Sequence, residues 1–217
     1  MIAQQLTRGA ATLGGGLLAG ATQAIGALRT AAKPLHPDGE VYAGGLARRG
    51  TAFGPHTGVP WIDEPGADDV VVRLSRAVGL PDGVPDIHGL ALRVLGPDGP
   101  ADVLFANTGT RRLTRFALTA SRHPRARPMT TLLPYRAPSG PVLLRVDSAG
   151  PGSYELSWAR PSSRWHPFAT LHVDERLGDP TVSFDPIVHR LPGLAQYPAV
   201  LRLREPAYRR ARRSRAS

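Results

Sequence analysis

Between Leu35 and Phe184 the chain is marked by short runs rich in aliphatic and aromatic residues, several of which alternate apolar with polar positions. They are EVYAGGLARRG (40–50), DDVVVRLSRAVGL (68–80), GLALRVLG (89–96), ADVLFAN (101–107), PVLLRVDSAG (141–150), SYELSWARP (153–161) and FATLHVDE (168–175). A period of two places successive side chains on opposite faces, so each run predicts a half-buried antiparallel strand. The separators, such as GPDGP and DSAGPGS, carry the residues that tight turns require. Strands at hairpin distances predict a meander, and closing it into a barrel removes the edges that an open sheet would expose.

The start of the chain follows another rhythm. Leu6, Leu13, Leu17, Ile25 and Leu28 recur at separations built from threes and fours, with no charged residue between Gly9 and Leu28. This predicts one apolar stripe on a helix of small residues over 1–32. Six glycines in the first 26 residues make the segment too polar and too flexible for a membrane span, although Gly16 and Gly20 have small-xxx-small spacing. The expectation is an arm helix that packs on its own fold or on a second copy of the chain. A membrane-surface helix through 1–32 and a cleaved secretory signal with Arg8 as its basic residue stand as alternatives.

Composition narrows the picture. A chain of 217 residues has room for one sizeable core, and 24 Gly with 22 Pro cap helix length, which agrees with a β-rich α+β fold. Cysteine is absent, which excludes disulfides and thiolate chemistry. The formal net charge of +10 is concentrated in part at the end, where Arg209, Arg210, Arg212, Arg213 and Arg215 form a basic tail over 209–217. No aromatic residue follows Tyr208 to stack on bases, so the tail reads as solvated and disordered, and no nucleic-acid partner is expected. The remaining central domain spans 33–208.

No phosphate loop is present, and the Gly-rich TLGGGLLAG follows no strand. His56, His88, His123, His166, His172 and His189 show no metal-binding spacing. His36 stands between Pro34 and Pro37, three residues after Lys33, the only lysine of the chain. Taken alone, a histidine beside prolines reads as a turn residue, and Asn107 before TGT reads as a hairpin cap.

Four motifs in order change that reading. Arg73-Leu74-Ser75 is followed by Asp86-Ile87-His88-Gly89-Leu90-Ala91-Leu92-Arg93 and by Asp102-Val103-Leu104-Phe105-Ala106-Asn107-Thr108, and upstream stand Lys33, His36 and Gly39. This series resembles the central stretch of haem-dependent catalases and their relatives, in which V-R-F-S, D-x-x-G-F-A-x-[RK]-F and D-L-V-x-N-N-T follow R-x-x-H-x-x-G. The resemblance covers roughly 33 to 108 and implies a closed antiparallel catalase-like β-barrel with an N-terminal arm helix and a C-terminal helix. It also implies haem as cofactor, with His36 as the acid–base group and Asn107 orienting peroxide. Ser75 would fix the His36 ring, and Arg73 and Lys33 would face the haem propionates. A lysine there is a point charge without arginine's fork.

On the proximal side the family ligates iron through tyrosinate in R-x-x-x-Y. Arg204 and Tyr208 have that spacing here. The segment after Asn107 is much shorter than in full catalases, and TGTRRLTRF stands where the family has an apolar aromatic run. The expected protein is thus a small, trimmed bacterial catalase relative, cytoplasmic or membrane-associated. Two classes of function follow. One is a haem-binding protein acting as a minimal peroxidase or hydroperoxide-metabolising enzyme on a small peroxide. The other is a haem-free module that binds a small apolar ligand or a partner, a second copy included. A hydrolase such as a phosphodiesterase is a lesser alternative.

Overall fold

The computed structural model describes residues 39–51, 54–77, 83–109, 111–178 and 182–202, together with Glu205 and Arg209. The N-terminal segment 1–32, Lys33, His36, Arg204, Tyr208 and most of the 209–217 tail lie outside the described residues.

Among the described residues ten strands carry the architecture. They are β1 (Gly39–Arg48), β2 (Gly66–Arg76), β3 (His88–Gly96), β4 (Gly99–Asn107), β5 (Met129–Thr130), β6 (Tyr135–Ala137), β7 (Gly140–Gly150), β8 (Ser153–Ala159), β9 (His166–Arg176) and β10 (Ala195–Gln196). Neighbours run β1-β2-β3-β4-β5-β7-β8-β9, and β9 pairs back onto β1, so eight antiparallel strands close a barrel. β6 and β10 extend from β7 as a short flap. Among the described residues helix is confined to one turn, α1 (Pro60–Asp63), a 3-10 turn (Thr114–Phe116) and residues 198–202 with Glu205 and Arg209. Among the described residues no helix is long and apolar enough to cross a membrane.

The period-two pattern explains the core. Val70, Val72 and Leu74 of β2 pair with Val94, Leu92 and Leu90 of β3, which pair with Ala101, Val103 and Phe105 of β4. All belong to or pack against one interior cluster, completed across the barrel by Leu144, Leu156, Trp158, Phe168 and Leu171. The alternate residues of each strand therefore form the outer surface.

Between β1 and β2 the chain tucks Val59 and Ile62 into the same cluster, with Pro60 suited to the first turn of α1. Asp63 holds this loop by accepting from the Thr57 and Gly58 backbone N–H groups at 3.0 and 2.7 Å and from the hydroxyls of Thr57 and Thr51.

The seam between β1 and β9 contains a register shift between Tyr42 and Gly44, and a Cβ at Gly44 would stand 2.3 Å from the carbonyl oxygen of His172. A Cβ at the adjacent Gly45 would meet nothing within 4 Å. Gly44→Ala should therefore cost about 1–3 kcal/mol, the usual range for forced overpacking, whereas Gly45→Ala should stay within about 0.5 kcal/mol of the native protein. Urea-unfolding midpoints of the two variants check this, and equal midpoints would contradict the seam as described.

Candidate functional site

Arg73 and Ser75 belong to the set of β2 residues that alternates with Val70, Val72 and Leu74, and so they face outward from the barrel. Strand register extends this face across four strands. One row contains Gly39, Ser75, Gly89 and Ala106, and the next contains Val41, Arg73, Ala91 and Leu104. Small side chains make up the first row, and Ala91 continues them into the second beside the Arg73 guanidinium. A Cβ at Gly39 would stand 2.4 Å from the Arg73 Nε, which places the Arg73 arm directly over Gly39. Val41 is buried yet stands outside the interior cluster, as its position on this outer row requires.

Asn107 faces the other way. It pairs with Met129, which pairs with Val146, and both partners belong to the interior cluster. Its side chain is fully buried and engaged on both ends. Oδ1 accepts from the His88 backbone N–H at 3.0 Å and from the Ser121 hydroxyl at 3.4 Å, while Nδ2 donates to the Arg127 carbonyl at 3.3 Å. The amide thus ties the end of β4 to the start of β3 and to the loop that follows. Asp86 and Ser121 strengthen the same tie through two backbone hydrogen bonds, and the His88 Nε2 lies 3.1 Å from the Ser121 carbonyl. The structure brings Arg73 and Ser75 together but sets Asn107 on the opposite face of the sheet. Its amide positions backbone, with both acceptor bonds on Oδ1 and one of the two Nδ2 hydrogens committed to it.

A buried charge network that the motif reading missed lies one row further along the outer face. The Asp102 carboxylate accepts from Arg93 Nε at 2.7 Å and Nη2 at 2.8 Å, lies 2.9 Å from His189 Nδ1, and accepts from the Asp185 backbone N–H at 2.6 Å. Arg93 also donates to the Ser183 carbonyl at 2.6 Å and lies over the Phe184 ring. The two-pronged Arg93–Asp102 pair was legible as a cross-strand pair around the GPDGP turn. His189 was not, because nothing local links it to β4. The network docks 183–189 against the barrel, and no hydroxyl nucleophile among the described residues is hydrogen-bonded to His189.

On the outside of β7 and β8, Arg115 is buried with its guanidinium 4.6 Å from the Trp165 ring centroid, and Arg145 approaches the same ring at 5.4 Å. Burial, then Arg145 and Arg112, pushes the Arg115 guanidinium below arginine's ordinary range. His166 stacks on Trp158 of the interior cluster at 5.1 Å, and burial followed by the charge of Arg164 holds its imidazole below the ordinary histidine value. Among the described residues no group of three or more His, Asp or Glu side chains is placed to hold a metal ion.

No protein-family model matches this sequence, and no curated protein matches it. Solved structures do. A fungal catalase matches with a TM-score of 0.56 at 12% identity, over 76% of this chain and 56% of its own. Catalase A from Saccharomyces cerevisiae matches at 0.54 and 10%, over 76% and 57%, and a bacterial catalase at 0.54 and 11%, over 76% and 54%. The chain shares their barrel fold and spans little more than half their length.

Two predictions arise from this geometry. Asn107→Ala leaves the His88 N–H and the Arg127 carbonyl without their partner, so it should lower stability by at least about 1–3 kcal/mol and speed tryptic cleavage within 122–127. An unchanged unfolding midpoint would remove the structural role. For His166, the unfolded chain takes up its proton near its ordinary pKa of about 6.5, and the folded protein only at lower pH. Its contribution to stability is therefore intact above that value and is lost as pH falls below it. His166→Phe should flatten this part of the stability profile, measured as unfolding midpoints across pH 5 to 7, and an unaltered slope would exclude the residue as its source.

Proposed function

We propose that this catalase-fold protein binds a flat, carboxylate-bearing ligand on the outer face of β1–β4, and that the ligand is haem. The observation that carries the reading is the group of small outer residues Gly89, Ala91 and Ala106 beside Arg73 and Ser75. Glycine and alanine leave room for a planar ring to approach a sheet closely, and a neighbouring guanidinium suits a carboxylate. On these grounds the described residues fit the group that the motif resemblance implies.

Arg73 would pair with a propionate and Lys33 would supply a second charge. The chain enters β1 through His36, three residues before Gly39. In this reading His36 takes and returns the proton of a peroxide, a task suited to a group that titrates near neutral pH. Tyr208, four residues after Arg204, would supply the phenolate that holds the metal. Haem, when bound, supplies the redox chemistry of the reaction. The engagement of Asn107 favours a second reading, in which the same face holds its ligand without turning over peroxide.

Titration of the purified protein with haemin, followed by absorption, tests the proposal. A saturable Soret band at one equivalent is expected. Ala91→Trp should abolish it while leaving the unfolding midpoint near native, because the indole would occupy the flat face. Arg73→Ala should weaken retention fivefold or less, as a partly solvated ion pair contributes about 1 kcal/mol or less. His36→Ala should keep the pigment and lose peroxide turnover, and Tyr208→Phe should lose or shift the pigment. The absence of a stoichiometric band, or a band indifferent to Ala91→Trp, would overturn the assignment of haem to this face.

A further inference from the structure

The loop between β4 and β5 is the most strongly charged stretch of the barrel domain. From Arg111 to Arg127 it contains six arginines and His123 and no acidic residue. Arg115 is turned inward, whereas Arg111, Arg112, Arg122, Arg125 and Arg127 are exposed. None of these five forms an ion pair with a described residue. Arg122 and Arg127 flank a depression of about 530 Å³ with Pro85, Ala120, Ser121 and Pro128 in its walls. At the other turn of the loop Leu113 follows Arg111 and Arg112 and is 74% exposed.

The loop is held in place rather than left to drift. Thr108 bridges to Leu118, Asp86 bridges to Ser121, Asn107 binds the Arg127 carbonyl, and Thr130 donates from its hydroxyl to the Arg115 carbonyl. A preformed surface loses less conformational entropy on binding. The buried Arg115 and the side chain of Asn107 therefore fix how the exposed arginines are presented.

We propose that this loop is a docking face for an anionic membrane surface, with Arg111, Arg112, Arg122, Arg125 and Arg127 meeting lipid phosphates and Leu113 entering the interface. Charge complementarity selects an anionic partner, since clustered arginines near such a surface attract it additively. The exposed leucine selects lipid among anionic partners, because basic residues beside an apolar side chain are the pairing that interfacial binding uses. A single-stranded nucleic acid would call for large stacking residues, and the only Phe, Tyr or Trp of the loop, Phe116, is buried. The docking face is independent of the ligand proposed for the outer face of β1–β4.

The test uses the full chain and co-sedimentation with vesicles of phosphatidylcholine, alone or mixed equally with phosphatidylglycerol. Binding is expected only to the mixed vesicles and is expected to fall with added salt. Arg111→Ala with Arg112→Ala, and separately Arg122→Ala with Arg127→Ala, should each weaken it about 30-fold, at about fivefold per arginine. Arg209→Ala with Arg210→Ala should have a smaller effect. The loop positions are surface residues, and unfolding midpoints near native would confirm that the variants are folded. Since the chain has no cysteine, Leu113→Cys takes a single environment-sensitive dye, whose emission should shift blue on the mixed vesicles. The proposal is overturned by no binding, by equal binding to neutral vesicles, by loop variants that bind as well as native, or by an unshifted dye. Duplex DNA that competes the vesicles away at lower concentration would overturn it in favour of a polynucleotide.

Discussion

A sheet that closes on itself must bring its first and last strands within hydrogen-bonding distance, and everything else in this molecule depends on that seam. β1 meets β9 across a register shift at Tyr42 and Gly44, where the His172 carbonyl approaches so closely that only a residue without a Cβ fits. Closure removes the exposed edges of the meander and creates an enclosed volume that Trp158, Phe168 and the aliphatic residues can fill. Without the seam, the alternation along each strand would define two surfaces but no interior.

Closure also decides what each motif residue can do. Because side chains alternate, residues an odd number apart on one strand face opposite sides, and the register carries that division from strand to strand. Ser75 and Arg73 fall in the rows of Gly89, Ala106 and Ala91, on the outer face. Asn107, one residue beyond Ala106, falls with Met129 on the inner one. Arg73 and Ser75 thus part from Asn107 at a single peptide unit, and the buried amide of Asn107 serves the backbone of β3 and the following loop.

The polar groups buried outside the barrel show how the segments that do not belong to it are attached. Asp102 loses all contact with solvent, and its charge is matched by a two-pronged arginine, an imidazole and a backbone N–H. Removing one partner from such a set leaves an uncompensated charge, so the network enforces one position for 183–189. Arg115 is the complementary case, buried against Trp165 and bonded to the Ser163 carbonyl. The exposed arginines around it owe their presentation to this anchor.

The sequence by itself determined the seven long strands, their antiparallel order and their inner faces, because period-two alternation and turn residues are local signals. β5 escaped notice, since two residues, Met129 and Thr130, carry no period, yet this strand completes the barrel between β4 and β7. The face of Arg73 and Ser75 was legible as a motif, and its small-residue neighbours could be read once the register was known. Only the tertiary structure decided that Asn107 turns inward, that His189 reaches Asp102 across 87 residues of chain, and that the 111–127 arginines share one pinned loop. Those outcomes depend on which strands meet and on what is buried between them, and contacts between distant residues leave no periodic trace along the chain.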